Sequence, residues 1–172
     1  PAYYDSCCKP GGDGQPTSQL DTMNRKKRKG YRTYVTSRPF GGFSIPVAVQ
    51  NVFLRNYANQ KDLIYMLPVN EFMFPNCFIQ LEAAIGEMED IEGLLMCSIF
   101  MLPAECERRR RIYERVYSVD GAIHFAIEQR AIINRGDEED IEEIFDIHQT
   151  LELCPSSLPV ESLPALKYST VL

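Results

Sequence analysis

Nowhere does the sequence carry a run of about 18 apolar residues, which excludes a membrane-spanning helix. The opening PAYYDSCCKPGGDG lacks the apolar segment of a secretory signal, so a cytoplasmic location is the expectation. The six cysteines, at 7, 8, 77, 97, 106 and 154, include no C-x-x-C pair, and only two histidines accompany them. That excludes the usual structural zinc patterns. There is neither a G-x-x-x-x-G-K-[ST] phosphate loop nor a G-x-G-x-x-G dinucleotide fingerprint. Nothing calls for a nicotinamide, a flavin or a metal, so no cofactor is expected. An excess of positive charge is also lacking: the net charge is −6 at pH 7. This argues against a protein that coats nucleic acid with its whole surface.

What is present is ordinary globular composition, 45% hydrophobic and 24% charged in 172 residues, enough for one core. Residues 1–29 are poor in apolar side chains after Tyr4 and end in the basic run RKKRKG, and they read as a flexible leader. Residues 30–151 read as a single α/β domain, and 152–172, with three prolines, as an irregular tail. YRTYVT (31–36) is aromatic and β-branched, the signature of a strand. A turn-forming loop follows, and Ser44 is placed to cap a helix with Pro46 in its first turn. Val49, Val52, Phe53 and Tyr57 supply that helix with an apolar stripe. LIYML (63–67) is a second strand, leading through a loop to a helix near 77–88 with Phe78, Leu81, Ala84 and Ile85 inward. Gly93 opens a third strand, in which Cys97 reads as a small buried hydrophobe. A helix from Pro103 precedes a fourth strand, AIHFAI, and the last helix spans about 138–151. The third helix carries Ile112, Val116 and Val119 inward and Arg108–Arg111 on its outer sides; the last carries Ile141, Ile144, Phe145 and Ile147 inward and a strongly acidic outer face. Alternating strands and helices with continuous apolar strands predict a three-layer α/β fold. The expected sheet is open, four-stranded and mainly parallel, flavodoxin-like or resolvase-like.

In such a sheet the ligand crevice lies beyond the C-terminal ends of the strands. Polar residues expected there are Thr36, Ser37 and Arg38 after the first strand and Glu71, Asn76 and Cys77 after the second. Ser98 follows the third strand and Glu128 the fourth, with His124 inside it. Arg38, the Gly41-Gly42 loop and the next helix start suit an anion, or form a loop merely stiffened by Pro39 and glycine. His124 reads either as a core histidine or as an acid–base group, with Glu71 or Glu128 as its carboxylate partner. Cys77 at a helix start is either an activated thiol or a small residue in a tight loop. Ser37 and Ser98 suit hydroxyl recognition better than nucleophilic attack, because no base is evident by spacing. The arginine run 108–111, flanked by glutamates, reads as a solvated or subunit-facing surface.

The blocks GYRTYVTSRPFGGFSIPVAVQN, EFMFPNC, SIFMLP and HFAIE together resemble the sporadic carbohydrate cluster proteins. Those proteins are encoded among bacterial surface-polysaccharide genes, and the resemblance covers about residues 30–149. On it Ser37, Arg38, Gln50, Asn51, Glu71, Pro75, Cys77, Ser98, His124 and Glu128 match the family pattern, which brings no established roles with it. A more distant resemblance is to the serine recombinase catalytic domain, through the first strand, Gln50 and the passage Ile91–Leu95. Tyr34 and Thr36 stand where that domain has its arginine and nucleophilic serine, and Ile99, Phe100 and Met101 where it has its aspartate–arginine pair. That resemblance therefore implies the fold and not recombination.

The expectation that follows is a carbohydrate-biosynthesis enzyme of isomerase, epimerase or lyase type. Its substrate would be a phosphorylated or nucleotide-linked sugar. His124, Glu71, Glu128 and Cys77 would be catalytic, and Ser37, Arg38, Gln50, Asn51, Asn76 and Ser98 would bind substrate. The first alternative is a non-catalytic ligand-binding or scaffolding partner of a polysaccharide-modifying enzyme. A second is nucleotide or nucleic-acid binding through the two basic runs, although nucleic acid is not an expected partner. A homodimer or higher oligomer is expected, and no membrane partner.

Overall fold

Tyr31–Thr36 forms the first strand, β1, whose β-branched and aromatic side chains suit a sheet covered on both faces. It belongs to a computed structural model that describes residues 28–154. The leader up to residue 27 and the tail from 155 lie outside the described residues. The chain continues through α1 (Val47–Gln60), β2 (Tyr65–Glu71), α2 (Ile79–Gly86), β3 (Gly93–Met96) and α3 (Cys106–Ser118). It closes with β4 (Ala122–Phe125), β5 (Arg130–Ile132) and α4 (Asp137–Leu153). The sheet order is β2-β1-β3-β4-β5, parallel throughout except that β5 returns antiparallel to β4. The architecture is a three-layer α/β fold with a mostly parallel sheet.

The sheet has five strands where the sequence predicts four. β5 is three residues long and opens with exposed Arg130, so its apolar pattern is too short to read. β2 begins later and runs further than expected, through Pro68 to Glu71. Proline is tolerated there because β2 is an edge strand whose register slips between Arg32 and Tyr34. Gly93 is required at the start of β3, since a Cβ there would sit 2.0 Å from the Ala122 carbonyl oxygen.

Right-handed crossovers place α1 on one face of the sheet and the other helices opposite. Arg108 of α3 pairs with Glu82 of α2, and Arg109 with Glu142 of α4, so these three helices form one layer. Phe78, Leu81, Ala84, Ile85, Ile112, Val116, Ile141 and Phe145 bury against the sheet from that side, as their periodicity predicts. Ile147 instead stays exposed.

Helix α1 departs from expectation. Its buried residues are Gln50, Leu54, Tyr57 and Ala58, while Val49, Val52 and Phe53 face outward. Of the predicted stripe Tyr57 alone is buried, and the inward face is centred one residue, about 100°, from it. Gln50 sets that rotation by hydrogen bonding to the end of β1. Ser44 makes no cap, and the helix starts at Val47 with Pro46 in the N-cap position.

One further expectation is corrected. Arg109 is buried, 2% exposed, rather than part of a solvated surface. Its guanidinium donates to Glu142 Oε1 at 2.7 Å and to the carbonyls of Pro103 and Ala104, and lies 3.8 Å over the Phe145 ring. The acidic face of α4 finds partners within the chain, Glu142 with Arg109 and Asp140 with Arg130.

Candidate functional site

At the C-terminal edge of the sheet the loops after β1, β2 and β3 enclose a crevice of about 160 Å³. Its walls include Thr36, Arg38 and Phe40 from the first loop, Asn76 and Phe78 from the second, and Phe100 from the third. β1 lies between β2 and β3, so the chain moves outward from β1 to β2 and then reverses past β1 to reach β3. A crevice at that reversal is where ligands of open α/β sheets bind.

The loop after β1 is shaped by a hairpin, with paired backbone bonds between Phe40 and Phe43. Gly41 and Gly42 form its turn with φ of +54° and +79°, the primed geometry that glycine adopts without strain. A Cβ on Gly41 would also fall 2.5 Å from Phe100 Cδ2, so glycine lets the hairpin close against the β3 loop. The two glycines therefore build a wall of the crevice.

Arg38 is the charged group of this crevice. Its backbone N–H and Nε donate to Thr36 Oγ1 at 3.1 and 3.4 Å, and Nη2 donates to the Tyr34 hydroxyl at 3.3 Å. The guanidinium lies 4.5 Å over the Phe78 ring, which carries Arg108 at 4.9 Å as well. Arg108 is neutralised by Glu82. Arg38 is half-buried, and among the described residues no carboxylate stands within ion-pair distance of it.

Glu71 is buried behind Arg38 and fully engaged. It accepts from the Tyr34 hydroxyl at 3.2 Å, from the N–H groups of Phe72, Gln80 and Leu81, and from the Cys77 thiol at 3.5 Å. The carboxylate thus serves as an internal anion for the start of α2, satisfying amides the helix leaves free. Burial, with Glu71 adding to it, raises the Tyr34 phenol far above its ordinary value, so Tyr34 stays a donor to Glu71. Cys77 precedes α2 by two residues and faces that carboxylate rather than free helix amides.

Ser98 and Glu128 form a second cluster, outside the crevice walls. The Ser98 hydroxyl donates to Glu128 Oε1 at 2.5 Å and accepts from the Phe100 N–H, while Glu128 Oε2 accepts from the Ile99 N–H. Together they tie the turn after β3 to the turn after β4. Burial, followed by the charge of Glu128, pushes the neighbouring Cys97 thiol up to about 12.

His124 is remote from both groups. It sits on the α1 face, 3.2 Å from the Tyr57 hydroxyl through Nδ1, with Tyr31 edge-on to its ring. Burial and then the Lys61 charge lower its pKa to about 4, so it is neutral at physiological pH. The sequence expectation of one pocket holding Arg38, Glu71, Cys77, Ser98 and Glu128 is not met, since of these only Arg38 lines the crevice. Gln50 is committed to backbone groups of Thr36 and Ile45, and Asn51 accepts from the Tyr65 hydroxyl at 3.3 Å. Ser37 is half-buried beside Arg38. Asn76, at φ +56°, does line the crevice.

Sequence reasoning missed Tyr34, Phe78 and Phe100, because aromatic residues near strand ends read as core. Of the basic runs, Arg25–Lys27 lies outside the described residues, and Arg28 donates to the carbonyls of Val119 and Asp120 at the end of α3. Among the described residues no group of three or more His, Cys, Asp or Glu is placed to hold a metal.

No protein-family model matches the chain, and no curated protein matches it. Among solved structures, the N-terminal catalytic domain of TP901-1 integrase aligns at 14% identity with a TM-score of 0.48. The alignment covers 71% of this chain and 96% of that one. A likeness at that level bears on neither site nor activity. The resemblance to sporadic carbohydrate cluster proteins rests on the four sequence blocks alone.

Proposed function

We propose that the chain is a ligand-binding partner in carbohydrate-polymer synthesis, holding the phosphate or carboxylate end of a sugar derivative at Arg38. The observation that carries this is a half-buried guanidinium, stacked on Phe78 in a strand-end crevice, without a carboxylate partner among the described residues. An arginine held this way presents a planar donor fork to an oxyanion. The crevice of about 160 Å³ is smaller than the roughly 300–1,000 Å³ that encloses a drug-sized ligand. It suits one charged group and part of a ring, with the remainder of the ligand left for a partner protein to contact. The acid–base reading has less support, because Glu71 and Glu128 are spent on backbone amides and His124 is on the opposite face.

The test is titration calorimetry of the whole chain with inorganic phosphate, hexose phosphates and hexuronates, paired with ³¹P and ¹H NMR of the same mixtures. Binding of a sugar phosphate or uronate without turnover, weakened at least tenfold in Arg38→Gln, is the expected result. Turnover that disappears in Glu128→Gln would instead establish the enzyme, and no binding by any of these anions would remove the proposal.

A further inference from the structure

Helix α1 is unlike the other long helices at its surface. It carries one charged residue, Arg55, in fourteen. Cys106–Ser118 of α3 holds seven charged residues in thirteen, and α4 holds eight acids in seventeen. A solvated helix normally shows a charged face. Here the outward face shows Val49 (53% exposed), Val52 (70%) and Phe53 (40%) instead.

That face does not end with the helix. Ile45 before α1 and Ile127 after β4 join Val49 and Phe53 around a wholly apolar depression of about 120 Å³, floored by Cys97. Among the described residues α2, α3 and α4 all pack on the other face of the sheet, so α1 alone covers this one. On this face Ala122 and His124 of β4 are already buried within the monomer, and half-exposed Ile133 after β5 extends the apolar surface.

We infer that this surface is a homodimer interface in which the α1 face of one copy seats against the α1 face of another. A second copy is the occupant that the surface chemistry favours. With one charge on α1, the face offers no electrostatic handle for a charged peptide or nucleic acid, but it is complementary to itself across a two-fold axis. Its exposed apolar side chains amount to an area on the order of 400 Å², in the range of the largest patch on a typical monomer. With a polar rim from Asn56, Asn59 and Gln60 it approaches the roughly 800 Å² per partner of a stable interface. The inward side of the same helix holds Ile45 and Thr36 through Gln50, so the interface would brace the wall of the strand-end crevice without blocking its mouth.

Sedimentation velocity of the full chain from about 1 to 200 μM tests this, since the monomer mass is 19.7 kDa and a dimer doubles it. The wild type is expected to shift to the doubled mass across this range. Val52→Glu, at a site without buried neighbours to disrupt, is expected to stay monomeric or dimerise at least tenfold more weakly while keeping its far-ultraviolet circular dichroism. Should Val52→Glu lose its fold, Val52→Gln serves in its place. Leu151→Glu, on the opposite helical layer and 64% exposed, is expected to leave dimerisation unchanged. A wild type that remains monomeric throughout overturns the inference. So does a dimer indifferent to Val52→Glu, or one dissolved by Leu151→Glu and not by the α1 change.

Discussion

The Gln50 side-chain amide satisfies both backbone groups of Thr36: Oε1 accepts from the Thr36 N–H at 3.1 Å, and Nε2 donates to the Thr36 carbonyl at 2.6 Å. Nε2 donates again to the Ile45 carbonyl at 2.7 Å. One buried glutamine therefore substitutes for a neighbouring strand at the end of β1 and closes the loop that carries Arg38. It links the rotation of α1, the shape of the crevice and the outward placement of Val52.

Replacing Gln50 with leucine keeps the volume but orphans three backbone groups, two of them on buried Thr36. A buried unsatisfied polar group costs about 1–3 kcal/mol, so Gln50→Leu is expected to destabilise the fold by about 2–4 kcal/mol in urea denaturation. Gln50→Glu should also destabilise, because a carboxylate cannot donate to the Thr36 and Ile45 carbonyls. A Gln50→Leu protein within about 0.5 kcal/mol of wild type would show that the clamp is dispensable.

Arg38→Lys separates charge from geometry at the crevice. Lysine retains the positive charge but lacks the planar fork that reaches Tyr34 and Thr36 while stacked on Phe78. For a bound sugar phosphate the expected loss is about 5–30-fold in Kd, against about 10–100-fold for Arg38→Gln, the worth of a charge-assisted hydrogen bond. Both variants should unfold within about 1 kcal/mol of wild type, because Arg38 makes no ion pair among the described residues. Equal affinity in all three proteins would mean the anion binds elsewhere.

His124 gives the stability a definite pH dependence. Its folded pKa of about 4 lies below the ordinary 6.5, so the unfolded chain binds a proton that the folded chain rejects between those values. The stabilisation is fully present above pH 6.5 and is lost as pH falls toward 4, by on the order of 2–3 kcal/mol. Asp137, Glu138 and Glu142, held below their ordinary values, add acid lability of the same sign at lower pH. The measurement is therefore the difference between wild type and His124→Phe in guanidinium denaturation from pH 7 to 4.5. The variant should show the shallower decline, and parallel curves would place the histidine in contact with solvent.

The layers and the parallel strands were legible because covered strands are apolar throughout and α2, α3 and α4 keep their helical period. What misled was side-chain chemistry that acts on the backbone. Gln50 turned α1 by one residue, so the stripe at Val49, Val52 and Phe53 points out. Glu71 and Glu128 read as acid–base candidates because polar groups gather at strand ends, yet both hold amides of neighbouring turns. Spacing gives the strand end on which a carboxylate falls, and not whether local N–H groups already claim it. Arg38 falls at a strand end by the same spacing, and there the structure does put it in the crevice wall.

Arg109 and Glu142 supply the last prediction. The guanidinium is buried while its partner carboxylate is 26% exposed, so the two ends of the pair differ in what their loss leaves behind. Removing Glu142 leaves a buried cation with two backbone carbonyls and the Phe145 ring, and breaking a buried pair in this way costs about 3–5 kcal/mol when both ions are desolvated. Because Glu142 is partly solvated, Glu142→Gln is expected at about 1–3 kcal/mol. Burial raises the Glu142 carboxyl, but hydrogen bonds from Arg109 and Tyr113 outweigh it and hold the group below 4.5. The stabilisation is thus complete above pH 4.5 and fades as pH falls through the folded value, so the gap between wild type and Glu142→Gln should narrow below pH 4.5. Arg109→Lys, keeping charge but not the fork that spans the carboxylate and two carbonyls, should lose at least as much as Glu142→Gln. A gap constant from pH 7 to 3 would mean that Glu142 acts through packing alone.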